Sequence, residues 1–188
     1  MSKKMIELKK ATENYIELFN DSMKKLSKYS EGIIFKEKNL DFHNMDLDLT
    51  DLKFKNAIYL ISIENLNTNN STKICEQVID LKKNNKVHKF PKVNLENCKI
   101  KNNDILYIGK SKGILQSRIN GHLGNGSPST YALHLSQWKN NDFLKNVKLK
   151  LHYAFVEMDD DDMESDILEL LETALHKKYK PILGRSGH

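Results

Sequence analysis

Residues 105–111 read Ile-Leu-Tyr-Ile-Gly-Lys-Ser and are soon followed by Arg118 and His122. An apolar run with β-branched residues on either side of a tyrosine, ended by glycine, predicts a short buried strand that stops at a tight turn. Apolar residues recur every fourth position from Leu115 to Leu123, which predicts a helix with Arg118 and His122 beside each other on one face. A phenol, a lysine, a guanidinium and an imidazole then converge near the end of one strand. This combination of side chains suits a phosphate group.

The same residues carry a family resemblance. Tyr107-Ile108-Gly109, with Arg118 and His122 after it, resembles the second half of the GIY-YIG nuclease signature, and Ala57-Ile58-Tyr59 resembles the first half. Residues 171–181 resemble the family's late segment, a helix that carries the metal-binding glutamate and is followed by a proline. The three blocks occur in the expected order, and the resemblance extends over roughly residues 54–188. The resemblance implies a metal-dependent DNA endonuclease that hydrolyses phosphodiester bonds, of a restriction or defence kind.

The resemblance also implies a role for each matching residue. Glu172 would bind one divalent cation, Mg²⁺ or Mn²⁺, and Arg118 would hold the phosphate. Tyr107, with its phenol polarised by Lys110, is the leading candidate for the group that deprotonates the attacking water. His122 is the alternative base, or a partner that orients the water or a tyrosine.

Tyr59 would complete the implied site by positioning the nucleophile or the phosphate. The chain departs from the family pattern at two places besides an insertion. Ala57 stands where the family has glycine, and Gly184 stands near where the family has asparagine, so Arg185 or Ser186 could supply the contact from the tail. The aspartates at 159–162 are a second metal hypothesis, although a solvated loop that leads into a helix also explains them.

The strand pattern predicts an α/β domain of the α+β type, with a small, mostly antiparallel sheet flanked by helices. Three central strands are predicted, at 57–63, 105–109 and 147–156. A further strand at 33–35 is a candidate, and residues 40–52 fit either an edge strand or an ordered loop. We expect residues 1–53 to form an N-terminal helical extension and residues 54–188 to form the nuclease domain, with an insertion at about 65–104.

The insertion lies in the most basic part of the chain, since residues 71–120 hold eleven Lys or Arg and four acids. A basic stretch suits a polyanionic partner such as DNA. A flap that contacts DNA is one interpretation of the insertion, and a plain surface feature is the other. The lysines assigned to DNA binding are Lys82, Lys83, Lys86, Lys89 and, outside the insertion, Lys112.

Ser129 and Thr130 follow a loop and precede a predicted helix over 131–138. Small polar residues with free amides at such a place bind phosphate, and helix capping explains them equally well. A helix over about 5–29 is predicted from an apolar stripe with spacings of three and four. It would pack on the catalytic domain, or on its copy in a homodimer.

Composition narrows the class of protein. The net charge is +5, hydrophobic residues make up 39% of the chain and charged residues 29%. No run of eighteen apolar residues is present and the N-terminus lacks an apolar block, so neither a membrane span nor a secretory signal is expected. Cys75 and Cys98 are expected to be reduced thiols in a cytoplasmic protein, with a disulfide as the alternative. A non-catalytic nucleic-acid-binding module on the same fold is the alternative function.

Overall fold

The computed structural model describes residues 3–31, 33–44, 47–65, 70–157 and 164–185. The predictions for aspartates 159–162 and for Ser186 lie outside these residues. Six α-helices span α1 Lys3–Glu31, α2 Asn70–Asn84, α3 Leu95–Cys98, α4 Leu115–Asn120, α5 Leu135–Trp138 and α6 Glu164–Tyr179. Four strands span β1 Lys36–Leu40, β2 Ala57–Ile63, β3 Ile105–Ser111 and β4 Leu149–Phe155. Short 3₁₀ turns lie at Thr50–Leu52 and Leu144–Asn146, and a π turn at Gly121–Asn125 continues α4.

The strands form one antiparallel sheet in the order β1-β4-β2-β3. This confirms the α+β class and the presence of the three predicted strands, of which β3 lies at one end of the strand order. The central position of β2 also explains its continuous apolar sequence, because every residue from Ala57 to Ile63 is buried. Successive side chains point to opposite faces, so Tyr59 joins the larger core while Ile58 joins the smaller one.

The fourth strand, β1, was misplaced by the sequence pattern. Residues 33–35, the apolar candidate, precede the strand, and only Leu40 of the ambiguous 40–52 stretch belongs to it. The sequence of β1, Lys-Glu-Lys-Asn-Leu, lacks apolar alternation because it lies at the sheet edge and is mostly solvent-facing. It is held by its ladder with β4 and by ion pairs, including Lys150 Nζ to Glu37 Oε2 at 3.2 Å.

Among the side chains of α1 that the structure describes, those near its C-terminal end pack on the domain. Leu26 and Tyr29 lie against the smaller core, which contains Leu168 of α6. Further towards the N-terminus the apolar stripe is exposed, with Tyr15 at 69% and Leu18 at 55% relative exposure. Packing within the chain is therefore confirmed for the end of the helix alone. Within the described residues, no helix has both the length and the apolar character needed to cross a membrane.

The expectation of reduced thiols is wrong in this structure, because Cys75 and Cys98 form a disulfide with a Cα–Cα distance of 6.5 Å. The bond joins α2 to α3 within the insertion. Two hydroxyls bring the helices together, since Ser71 Oγ and Thr72 Oγ1 each donate to the carbonyl oxygen of Cys98 at 3.1 Å. Both cysteines are buried in the larger core.

The insertion is a folded part of the domain and holds the C-terminal segment in place. The Nδ2 amides of Asn94 and Asn97 donate to the Pro181 carbonyl at 3.0 and 2.9 Å. Leu183 then forms bridges with Val93 of the insertion on one side and with β3 on the other. As a result, the residues that follow Leu183 are delivered to the end of β3.

The predicted helix over 131–138 is shorter than expected, since α5 begins at Leu135. Neither Ser129 nor Thr130 caps it, because His134 precedes the helix with a left-handed φ of 48° and no side-chain capping bond is present. The backbone N–H of Ala132 donates to the Lys89 carbonyl at 3.2 Å. This bond, together with the one from the Leu133 N–H to His122 Nδ1 at 3.1 Å, gives the backbone before Leu135 partners outside the helix. These residues therefore do not join α5.

Candidate active site

Two tyrosines close over a glycine where β2 pairs with β3. Tyr59 on β2 lies opposite Gly109 on β3, and the rings of Tyr59 and Tyr107 stack with centroids 6.2 Å apart. A Cβ added to Gly109 would overlap Tyr59 Oη and lie 2.6 Å from Tyr59 Cζ and 2.9 Å from Tyr107 Cε1. Glycine at this position is therefore a packing requirement of the tyrosine pair.

The Arg118 guanidinium joins the two phenols. Its Nε donates to Tyr59 Oη at 3.1 Å and its Nη2 donates to Tyr107 Oη at 3.3 Å. The proximity of Tyr59, and then of Tyr107, raises the pKa of Arg118 further, so the guanidinium stays charged. Burial raises the pKa of Tyr59 far above its usual range, which keeps that phenol protonated.

His122 is fully buried behind Tyr59, and its hydrogen bonds fix its tautomer. Its Nδ1 accepts the backbone N–H of Leu133 at 3.1 Å, and its Nε2 lies 2.8 Å from Tyr59 Oη. Burial, with a smaller effect from Arg118, lowers the pKa of His122 well below the usual value, so the ring is neutral. A neutral imidazole whose Nδ1 accepts carries its proton on Nε2, and that N–H donates to Tyr59. No lone pair remains on His122 to accept a proton from water.

Lys110 and Glu172 form a largely buried ion pair at the opposite side of the site. Lys110 Nζ lies 3.4 Å from Glu172 Oε2 and 3.3 Å from Glu169 Oε2, with side chains that are 13% exposed for Lys110, 8% for Glu172 and 44% for Glu169. Burial raises the pKa of Glu172, while Lys110 acts in the opposite direction and favours the charged form. The expected contact of Lys110 with Tyr107 is replaced by these carboxylates, and the cation that contacts Tyr107 is Arg118.

A cavity of about 480 Å³ opens over these groups. Of the predicted catalytic residues, Tyr107, Lys110, Arg118 and Glu172 line it, whereas the fully buried pair Tyr59 and His122 lies behind. The site is therefore brought together from β2, β3, α4, the π turn and α6. The sequence predicts that Tyr107, Lys110, Arg118 and His122 converge, and the family resemblance implies Tyr59 and Glu172. Neither indicates which of these residues line the cavity and which support it.

The predicted DNA-binding residues are not gathered at the cavity as the predicted catalytic residues are. Lys82 lines the cavity, and its Nζ donates to the Pro91 carbonyl at 2.9 Å. Lys83 and Lys86 line an adjacent depression, and Lys89 Nζ lies 5.8 Å from the centre of the Tyr131 ring. The remaining three are exposed and are not among the residues that line the cavity: Lys112, Ser129 and Thr130.

Several lining residues were missed or only partly anticipated. The insertion contributes Phe90 and Lys92, the loop before α5 contributes Tyr131, and the tail contributes Arg185 beside Gly184. Of these residues, only Arg185 is predicted from the sequence, as a substitute for the family's asparagine. No local pattern marks the others, because their positions depend on how the insertion and the tail fold against β3.

Glu172 could serve as the single carboxylate ligand of the expected cation. Among the described residues, no group of three or more His, Cys, Asp or Glu side chains could hold a metal ion. Mg²⁺ often binds through one or two carboxylates, several waters and a substrate phosphate, so a single carboxylate that lines a cavity fits it. A cation here would have to compete with Lys110 for the Glu172 oxygens.

No protein-family model, no curated protein and no solved structure matches this chain.

Proposed function

We propose that the protein is a metal-dependent endonuclease of the GIY-YIG type that hydrolyses phosphodiester bonds in DNA. One observation carries the proposal: a single guanidinium, Arg118, bonds two stacked tyrosines at one cavity that also contains the buried carboxylate of Glu172. A charged guanidinium beside a carboxylate in one cavity provides an anion contact and a cation ligand at neighbouring points.

The chemistry assigns a different task to each lining residue. Hydrolysis requires a water that loses a proton as it attacks phosphorus, while the P–O bond to the leaving sugar oxygen breaks. Tyr107 Oη lines the cavity and accepts a bond from Arg118, which works against the effect of burial that raises the pKa of Tyr107. We assign the proton transfer from water to Tyr107 in its phenolate form, since His122 has no acceptor left. The phenol would first release its own proton to solvent, and the charged guanidinium of Arg118, which donates to Tyr107 Oη, would stabilise the phenolate.

The supporting residues hold this geometry. His122 donates to Tyr59, and Tyr59 packs on Tyr107, so the pair fixes the position of the reacting phenol. Arg118 would bind the phosphate oxygens whose charge grows during attack. A cation on Glu172 would supply further charge stabilisation at the phosphate and at the leaving oxygen. Lys110 lines the same cavity and would add a second positive charge near the phosphate.

Incubation with supercoiled plasmid separates this proposal from the alternative of a non-catalytic binding module. We expect nicked and linear products with Mg²⁺ or Mn²⁺ and none with EDTA. The test is extended to branched and single-stranded DNA, so that a structure preference is not mistaken for inactivity. Binding without cleavage on all of these substrates would exclude the nuclease and favour the binding module.

We also propose that the protein acts in the cytoplasm. A nuclease that acts on DNA in the cytoplasm fits the basic insertion and the expected absence of a membrane span. The Cys75–Cys98 disulfide is unusual for a reducing compartment. Thiol-specific labelling of the protein in intact cells, before and after reduction, tests whether the bond forms there.

A further inference from the structure

One wall of the cavity has no role in the proposed chemistry. It is built from Lys82, Phe90 and Lys92 of the insertion, Tyr131 of the loop before α5 and Arg185 of the tail. Of the residues that line the cavity, five are cationic and Glu172 alone is acidic. The wall therefore adds positive charge beyond what a single phosphate on Arg118 requires.

Tyr131 is the unusual member of this wall, because its side chain is exposed while its backbone is fixed. The residue is 63% exposed. On its C-terminal side, the N–H of Ala132 donates to the Lys89 carbonyl at 3.2 Å, and the N–H of Leu133 donates to His122 Nδ1 at 3.1 Å. The loop is thus tied both to the insertion and to the supporting histidine of the site. An aromatic ring held at a fixed place without being buried is suited to contact a ligand.

The surroundings of Tyr131 favour a nucleotide as that ligand. Lys82 is held in the wall by its bond to Pro91, and Arg185 lies close enough to contribute, after burial, to the lowered pKa of Lys82. Two cations that disfavour each other are stabilised by an anion between them. A ring next to phosphate-binding groups matches the pattern of proteins that bind unpaired strands, in which bases stack on aromatic side chains and cations follow the backbone.

The cationic surface also continues beyond the cavity into two neighbouring depressions. Lys92 and Arg185 are shared with a neighbouring depression that includes Lys177, and Lys82 and Lys92 are shared with another that includes Lys83 and Lys86. A strand bound at the cavity would therefore find further lysines next to it.

We propose that Tyr131 stacks on the base of an unpaired nucleotide beside the scissile phosphate, so that the substrate is single-stranded or unpaired at the point of cleavage. The inference rests on the proposed nuclease function. In an intact duplex, both faces of each base are covered by its neighbours, so an aromatic ring stacks only on a base that has left the helix or lies at an end. Tyr131 is in this account a specificity-determining residue outside the reacting groups.

The test measures binding in EDTA, where no cleavage is expected, by fluorescence anisotropy with three probes. They are dodecathymidylate, an abasic oligomer of the same length and a duplex of the same length. Tyr131→Ala should weaken dodecathymidylate binding about tenfold and leave the abasic oligomer and the duplex unchanged. Tyr131→Phe keeps the ring and should bind like the wild type. Tyr179→Ala is the matched control, because Tyr179 is also exposed and has the Lys178 ammonium 5.1 Å from its ring centre, but does not line the cavity.

Two results would overturn the inference: an equal loss on the abasic oligomer, which would show a backbone contact, or unchanged dodecathymidylate binding by Tyr131→Ala. A wild-type protein that does not bind dodecathymidylate would overturn it as well. Failure of the nuclease proposal is recognised separately. A base-dependent loss in Tyr131→Ala without metal-dependent cleavage of any substrate by the wild type would support stacking and exclude the nuclease.

Discussion

The substitution Gly109→Ala tests the packing of the two tyrosines directly. The added Cβ would lie 2.6 Å from Tyr59 Cζ and 2.9 Å from Tyr107 Cε1. Both distances are about 1 Å short of the roughly 3.5–4.0 Å at which carbon atoms pack. Tyr59 is fully buried and bonded to Arg118 and His122, so it cannot move aside without loss of these bonds.

The expected magnitudes follow from this overlap. Forcing a methyl group into a packed core costs about 1–3 kcal/mol, which lowers the melting temperature by about 2–12 °C for a chain of this size. A displacement of the catalytic groups by about 1 Å lowers a reaction rate by about a hundredfold. We expect both effects in Gly109→Ala, measured by thermal unfolding and by the rate of plasmid nicking.

Gly113→Ala is the matched control, because it lies just past the end of the same strand and its added Cβ would meet no atom within 4 Å. It should keep the melting temperature and the nicking rate of the wild type. If Gly109→Ala melts and cuts like Gly113→Ala, the two tyrosines do not close over the glycine, and the account of how Tyr107 is positioned is wrong.

Three further predictions concern pH, the disulfide and the insertion. Because burial lowers the pKa of His122 in the folded state, the unfolded state binds more protons below about pH 6.5; urea unfolding should therefore show lower stability at pH 5 than at pH 7, and equal midpoints would contradict this. Reduction of the disulfide between α2 and α3, whose cysteines are 23 residues apart, should cost about 3 kcal/mol, seen as a melting temperature about 6–12 °C lower in dithiothreitol; no shift would mean that the bond is absent in solution. Replacing the four insertion lysines with glutamine should weaken DNA binding and flatten its salt dependence by roughly 0.9 in logarithmic slope for each lost phosphate contact, whereas Arg118→Ala should reduce cleavage of fully bound DNA far more than affinity. The lysines replaced together in the insertion variant are Lys82, Lys83, Lys86 and Lys89. If the salt dependence of DNA binding is unchanged in this variant, the insertion is a passive surface feature.

Two strands of the sheet were predictable from their burial, since β2 is buried on both faces and β4 alternates buried with less buried positions. Burial of β2 requires a run that is apolar apart from the hydrogen-bonded Ser62, and that run is visible in residues 57–63 without knowledge of its partners. The edge strand β1 was not predictable for the same reason, since exposed positions are free to carry lysine and glutamate. Its identity as a strand comes from hydrogen bonds to β4, which the local sequence does not encode.

The candidate site was predictable where spacing alone determines proximity. Arg118 and His122 are four residues apart in α4 and the π turn, so both reach Tyr59. The pairing of Lys110 with Glu172 and the place of Tyr131 depend on contacts between elements that are distant in sequence. The state of the two cysteines was missed for this reason as well, since their approach depends on how α3 docks on α2.

The most direct test of the central claim compares Glu172→Gln with Glu169→Gln in metal-dependent cleavage under single-turnover conditions. Both glutamates lie on α6 within 3.4 Å of Lys110 Nζ, but only Glu172 lines the cavity. Both variants should keep their fold, as judged by thermal unfolding. Glu172→Gln should lose cleavage by orders of magnitude because it removes the charge that would hold the cation, and Glu169→Gln should cut within a few-fold of the wild type. Normal cleavage by Glu172→Gln would place the metal elsewhere and contradict the proposed active site.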